Sequence, residues 1–83
     1  MAKLSAHGRE VVRLERHTTL ESGTPVRWTL ILFEDRVILE KSDFYKNGKL
    51  DFSSGWKKRS KLTAEATPER WIEKYSAKGW TRA

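Results

Sequence analysis

Few side chains in this 83-residue chain are of the kind that carries out covalent chemistry. Cysteine is absent, which excludes disulfides, thiol nucleophiles and thiolate metal sites. His7 and His17 stand ten positions apart with no carboxylate at ligand spacing, whereas zinc needs three or four convergent ligands. No metal and no cofactor is expected. Ser22, Ser53 and Ser54 fall in loop-like stretches without a G-x-S-x-G setting. Glu34-Asp35 is a carboxylate pair, but in a tight turn it faces water, and a catalytic acid needs burial or a like-charged neighbour in a cleft. Gly48 belongs to a turn and Gly55 to a bulge or turn, so neither belongs to a phosphate-cradling loop. The chain reads as a binding module, not an enzyme.

The residues that could act are cations. SSGWKKRSKL, Ser53 to Leu62, packs Lys57, Lys58, Arg59 and Lys61 into five positions directly after Trp56. The net charge of +6 is uneven. Residues 1–35 hold five cations and five acids, residues 36–62 eight cations against three acids, and residues 63–83 four against three. A surplus concentrated in the middle third suggests an anionic partner, either nucleic acid or an acidic protein surface. A membrane surface is not expected, because no basic amphipathic helix carries the charge.

With strand periodicity, Trp56, Lys58, Ser60 and Leu62 point one way and Gly55, Lys57, Arg59 and Lys61 the other. Lys57, Arg59 and Lys61 then form a row spaced about 6.6–6.8 Å, close to every second phosphate of a strand that rises about 3.4 Å per nucleotide. Lys58 is the misfit and must snorkel or sit on an edge. Lys46 and Lys49 flank the preceding turn and extend the patch, and Tyr45 beside them is a stacking candidate. The candidate nucleic-acid or partner-binding set is therefore Lys46, Lys49, Lys57, Lys58, Arg59, Lys61 and Tyr45. Four or five phosphate contacts imply a salt slope of about −4. The competing reading is that lysines on an edge strand block pairing with another chain.

Several elements must position these residues. YKNGKLDF carries Asn47-Gly48, the strongest short hairpin signal. It makes 36–46 an incoming strand and Lys49 onward an outgoing one. VRWTLILF alternates Val26, Trp28, Leu30 and Leu32 against Arg27, Thr29, Ile31 and Phe33, a central strand covered on at least one side. Glu34-Asp35 reads as a two-residue turn. GREVVRLERHTT fits a strand or a helix, and its β-branched content favours the strand. Thr67 is an N-cap, Pro68 sits at N1, Gly79 terminates, and Trp80 folds back, so a helix is expected over about 68–78. The expected fold is α+β: one domain, residues 1–83, an antiparallel four-stranded meander with one C-terminal helix packed on one face. The expected core is Val12, Leu14, Trp28, Leu30, Leu32, Val37, Leu39, Trp56, Leu62, Trp71, Ile72 and Tyr75.

MAKLSAHGRE at the start has no apolar h-region, so no signal peptide is expected. The longest apolar run, Leu30 to Phe33, is far below the ~20 residues of a membrane span. Cytoplasmic location is the expectation. The MAKLSAHGRE opening, SGWKKRSKL and a C-terminal helix ending in GW together resemble small phage- and mobile-element-encoded proteins. That resemblance implies a nucleic-acid binder, a transcriptional accessory, or an anti-CRISPR-like inhibitor of a host complex, with a homodimer compatible with each.

Overall fold

Asn47 and Gly48 both adopt positive φ, 52° and 78°, between the paired Lys46 and Lys49. This is the two-residue hairpin turn whose twist suits the flanking strands. The computed structural model describes residues 4–83; Met1–Lys3, the beginning of the MAKLSAHGRE stretch, lie outside the described residues. The fold is α+β, an antiparallel sheet with one C-terminal helix. After a 3-10 turn, Leu4–His7, come β1 (Glu10–Thr19), β2 (Pro25–Phe33), β3 (Val37–Lys46), β4 (Lys49–Ser53), β5 (Lys57–Lys61), α1 (Pro68–Ser76) and β6 (Thr81–Arg82). The spatial order is β4-β3-β2-β1-β6, with β5 also on β3.

The sheet thus has six strands where four are expected. Two physical causes account for the difference. The outgoing strand of the Asn47-Gly48 hairpin is broken at residues 54–56. Its first part, β4, pairs with the end of β3, and its second, β5, with the beginning. At the break the Ser54 hydroxyl accepts the Ser42 N–H at 2.9 Å, and Gly55 takes φ 72°, a conformation that favours glycine. The remaining strand, β6, forms where the chain leaves α1 and lies against Leu14 and Glu15 of β1. Residues 10–19 are strand, as their β-branched side chains favour.

The turn after β2 has three residues, not two, and ends on Arg36 at φ 71°. The Arg36 N–H donates to the Phe33 carbonyl at 2.9 Å, a three-residue hairpin loop closed by a left-handed residue. Arg36 has a second role. Its guanidinium donates to the carbonyls of Leu62, Thr63 and Ala66, tying the segment before the helix to this turn. The helix starts as expected: Thr67 Oγ1 accepts the Arg70 N–H at 3.2 Å, and Pro68 follows the cap. It ends at Ser76, short of Lys78. Gly79 turns at φ 93°, the Trp80 N–H donates to the Tyr75 carbonyl at 3.1 Å, and the Trp80 ring is buried.

Both sheet faces are apolar. Under the helix lie Val12, Leu14, Leu30, Leu32 and Ile38 with Trp71 and Trp80, flanked by Trp28, Leu62, Ile72 and Tyr75. On the opposite face Ile31, Phe33, Val37 and Leu39 form a second cluster, against which Trp56 packs. Trp56 is therefore on the opposite side from Leu62, contrary to the expectation from period-two alternation.

Candidate nucleic-acid interface

A single bulge explains Trp56 and reorganises the basic strip. Ser60 pairs with Ile38 and Lys61 with Val37, but Lys58 pairs with Leu39 and Lys57 with Glu40, leaving Arg59 as the extra residue. An inserted residue moves everything beyond it to the other face. Trp56 and Lys58 consequently join the face opposite the helix, while Leu62 and Ser60 stay on the helix side. Lys57 and Arg59 also lie on the helix side, and Lys61 does not. The expected row Lys57–Arg59–Lys61 does not exist, and Lys58 needs no snorkelling because it pairs with Leu39 on the outer face and is exposed.

On the helix side, register places Lys46 and Lys49 at the hairpin tip, then the Phe44–Phe52 pair, then Ser42, and then Lys57 and Arg59 beside Glu40. The Phe44 and Phe52 rings are 5.8 Å apart, and Phe52 is 59% exposed. Arg59 donates to Glu40 at 2.8 Å and its guanidinium lies 5.8 Å from the Tyr75 ring. Partial burial works against its charge, but Glu40 and Tyr75 outweigh that and raise its pKa. All residues of β4 and β5 are exposed. Among the described residues Lys46, Lys49, Lys57, Lys58 and Lys61 take part in no ion pair.

Beyond the C-terminal end of α1 the same face is concave. A hollow of about 280 Å³ is lined by Arg16, Trp28, Arg59, Tyr75, Lys78 and Trp80. The Trp28 indole N–H donates to Thr18 Oγ1 at 2.7 Å, which orients the ring. Lys78 lies 5.3 Å from the Tyr75 ring. A smaller hollow of about 120 Å³ is lined by Trp28 with Ser42, Ser54 and Lys57 among others, so Trp28 borders both hollows, one with Lys57 and the other with Arg59. Arg16 comes from β1, Trp28 from β2, and Lys78 and Trp80 from the turn after α1. Spacing alone carries no signal for their meeting; in sequence Trp28 stood out as core and Trp80 as the residue folding back after Gly79.

The opposite face holds the other half of the predicted set. Tyr45, Lys58 and Lys61 lie there by register. Tyr45 is half-buried with the Arg27 guanidinium 5.8 Å from its ring, so it is not the open stacking platform expected of it. Asp43 is buried and holds both Arg27, at 3.3 Å, and Lys41, at 3.6 Å. Trp56 lies beneath Lys41 at 4.8 Å and Arg13 at 5.9 Å.

The remaining titratable groups brace the β2–β3 turn. His7 Nδ1 pairs with Asp35 at 2.8 Å and its ring sits 5.5 Å from Phe33. Glu34 accepts the Arg9 N–H and the Arg9 guanidinium, both at 3.0 Å, and those bonds, the backbone one foremost, lower its pKa. Burial works against the Asp35 charge, but hydrogen bonds from His7 and the Val37 N–H and the nearby Lys61 outweigh it, leaving its pKa lowered as well. The turn carboxylates are thus engaged. No group of three or more His, Asp or Glu side chains among the described residues could hold a metal ion, and none of the described helices is long and apolar enough to cross a membrane.

Comparison with models of known protein families, with curated proteins and with solved structures gave no match.

Proposed function

We propose that this protein is a non-enzymatic nucleic-acid-binding module that holds the phosphate backbone along its split edge strand. The observation that carries the reading is the pairing state of the cations. Lys46, Lys49 and Lys57 share the helix-side face, are exposed, and have no carboxylate partner among the described residues. Arg59 extends the track but already holds Glu40. Cations left unpaired on one face release condensed counterions when they meet phosphates, which makes binding strong at low salt and weak at high salt. The helix offers no base-reading surface: Arg70 and Lys74 are interspersed with Glu69 and Glu73. Recognition is accordingly backbone-directed.

A mobility-shift titration tests this reading. Four contacts predict a salt slope of about −3 to −4. Absence of a shift with both DNA and RNA at 50 mM salt overturns it.

A second reading, an inhibitor that docks on an acidic protein surface of a host nucleic-acid-processing complex, draws on a specific feature. Phe52, 59% exposed, stands on the helix-side face between the hairpin-tip cations and Lys57, and Leu50, 58% exposed, lies opposite Tyr45 on the other face of the same hairpin; phosphates offer nothing apolar to either. Retention of one stoichiometric protein from nuclease-treated bacterial lysate supports that alternative. Loss of every partner together with the nucleic acid supports direct binding.

A further inference from the structure

We infer that the hollow beside the C-terminal end of α1 seats one unpaired nucleobase, so that the module prefers single strands to duplex. The inference rests on the nucleic-acid reading above and goes beyond it, because edge cations alone meet the phosphates of either form.

The hollow combines the two things a single-strand site needs: an aromatic surface and adjacent positive charge. Trp28 is half-buried on the floor, with its indole N–H fixed by Thr18 at 2.7 Å. A ring held in place loses little conformational freedom when a base stacks on it. Tyr75 and Trp80 meet edge-to-face at 84°, with centroids 5.9 Å apart, and form the wall. Arg16 and Lys78 lie at the rim, exposed, with no carboxylate partner among the described residues. Arg59 is shared between the hollow and the edge strand. A backbone running along Lys49 and Lys57 therefore reaches the hollow without leaving the basic face.

Size sets the ligand class. At about 280 Å³ the hollow sits just below the roughly 300–1,000 Å³ of typical small-ligand pockets. It has room for one planar ring system and not for a base pair. The floor is a hydrophobic ring in a sheet face, without the ordered set of buried donors and acceptors that would read one base's edge. Stacking of this kind is sequence-tolerant. The occupant is any unpaired base of a single strand.

The test uses fluorescence anisotropy with a labelled mixed-sequence 12-mer DNA, single-stranded or annealed to its complement, at 50 mM and 200 mM salt. The full chain is expected to bind the single strand about tenfold more tightly than the duplex. Arg16→Gln/Lys78→Gln, both at exposed positions, is expected to cut single-strand affinity about tenfold and to flatten its salt slope by about 1.4, at about 0.7 per phosphate. Duplex affinity should stay put. In the wild-type protein, titration of the single strand should shift the Trp28 indole N–H resonance, which needs no variant to fold. Equal affinity for the two forms, an unmoved Trp28 signal, or unchanged single-strand binding by the double variant overturns the base seat and leaves the edge reading intact. No binding of either form at 50 mM salt overturns both.

Discussion

The two faces of the sheet use the same residue types to opposite ends. On the face away from the helix, the cations over the sheet centre and the aromatic rings are consumed internally, and only Lys58 and Lys61 at the edge stay exposed without an ion pair among the described residues. Asp43, almost fully buried, holds Arg27 and Lys41, and Trp56 is covered by Lys41 and Arg13. On the helix side, Arg16, Lys46, Lys49 and Lys57 have no such carboxylate among the described residues, and Phe52 is left open. A Lys or Trp says little about function by itself. What distinguishes an available cation from a structural one is whether a carboxylate has already been brought to it.

That contrast can be broken from either side. The largest effect expected is on stability, in the helix-side core: Trp71→Ala removes a buried anchor and should destabilise the domain by about 3–5 kcal/mol, much of the total for a domain this size, as read by urea unfolding. Next comes Asp43→Ala on the opposite face. Breaking a buried pair costs about 3–5 kcal/mol; because Arg27 and Lys41 reach solvent, about 2–3 kcal/mol is expected here, with nucleic-acid affinity unaltered once the protein is folded. A variant that stays folded but loses affinity would show that this face takes part in binding. The triple change Lys46→Gln/Lys49→Gln/Lys57→Gln should do the reverse. Stability should move by no more than about 0.5 kcal/mol, as for surface sites, while the salt slope of binding falls by about 2–3. A collapse of stability instead would make the edge cations structural.

The smallest effects belong to the β2–β3 turn. Glu34 and Asp35 have pKa values below their ordinary 4.5 and 3.8. A depressed carboxylate pKa stabilises the fold above the ordinary value and ceases to do so as pH falls through the lowered one. Thermal melts should therefore hold steady down to about pH 4–5 and decline below. Glu34→Gln should show a shallower decline. An identical acid profile would mean that the Arg9 contact does not support the fold. Gly8→Ala tests the same corner: Gly8 has φ 79°, and an added Cβ would lie 2.7 Å from Glu34 Oε2. Melting should reveal a loss of about 1 kcal/mol or more.

Much of the fold was legible because its signals are local. Asn47-Gly48 needs only its own backbone preferences to make a hairpin, and Thr67-Pro68 and Gly79-Trp80 start and stop the helix by capping chemistry confined to one turn. That β2 is a central strand covered on at least one side was visible in Val26–Phe33; Ile31 and Phe33, on its second face, were not placed in the expected core and prove covered too. The short β6 was not legible. Two residues carry no periodicity, and they become a strand only because the chain leaving α1 is set down beside Leu14 and Glu15.

For the basic strip, sequence by itself determined its composition, its exposure and its place on the sheet edge, since those follow from charge and from the preceding hairpin. It did not determine which way each cation faces. KKRSK contains no glycine, proline or asparagine to mark a bulge, and alternation offers one answer for all five residues. The bulge at Arg59 arises from how β5 must pair with the beginning of β3 after the break at Ser54, with Trp56 seated on one core and Leu62 on the other. Only tertiary structure sets that register, because it balances two cores on opposite sides of one strand. The register in turn puts Lys57 and Arg59 beside Trp28 and leaves Lys58 and Lys61 behind.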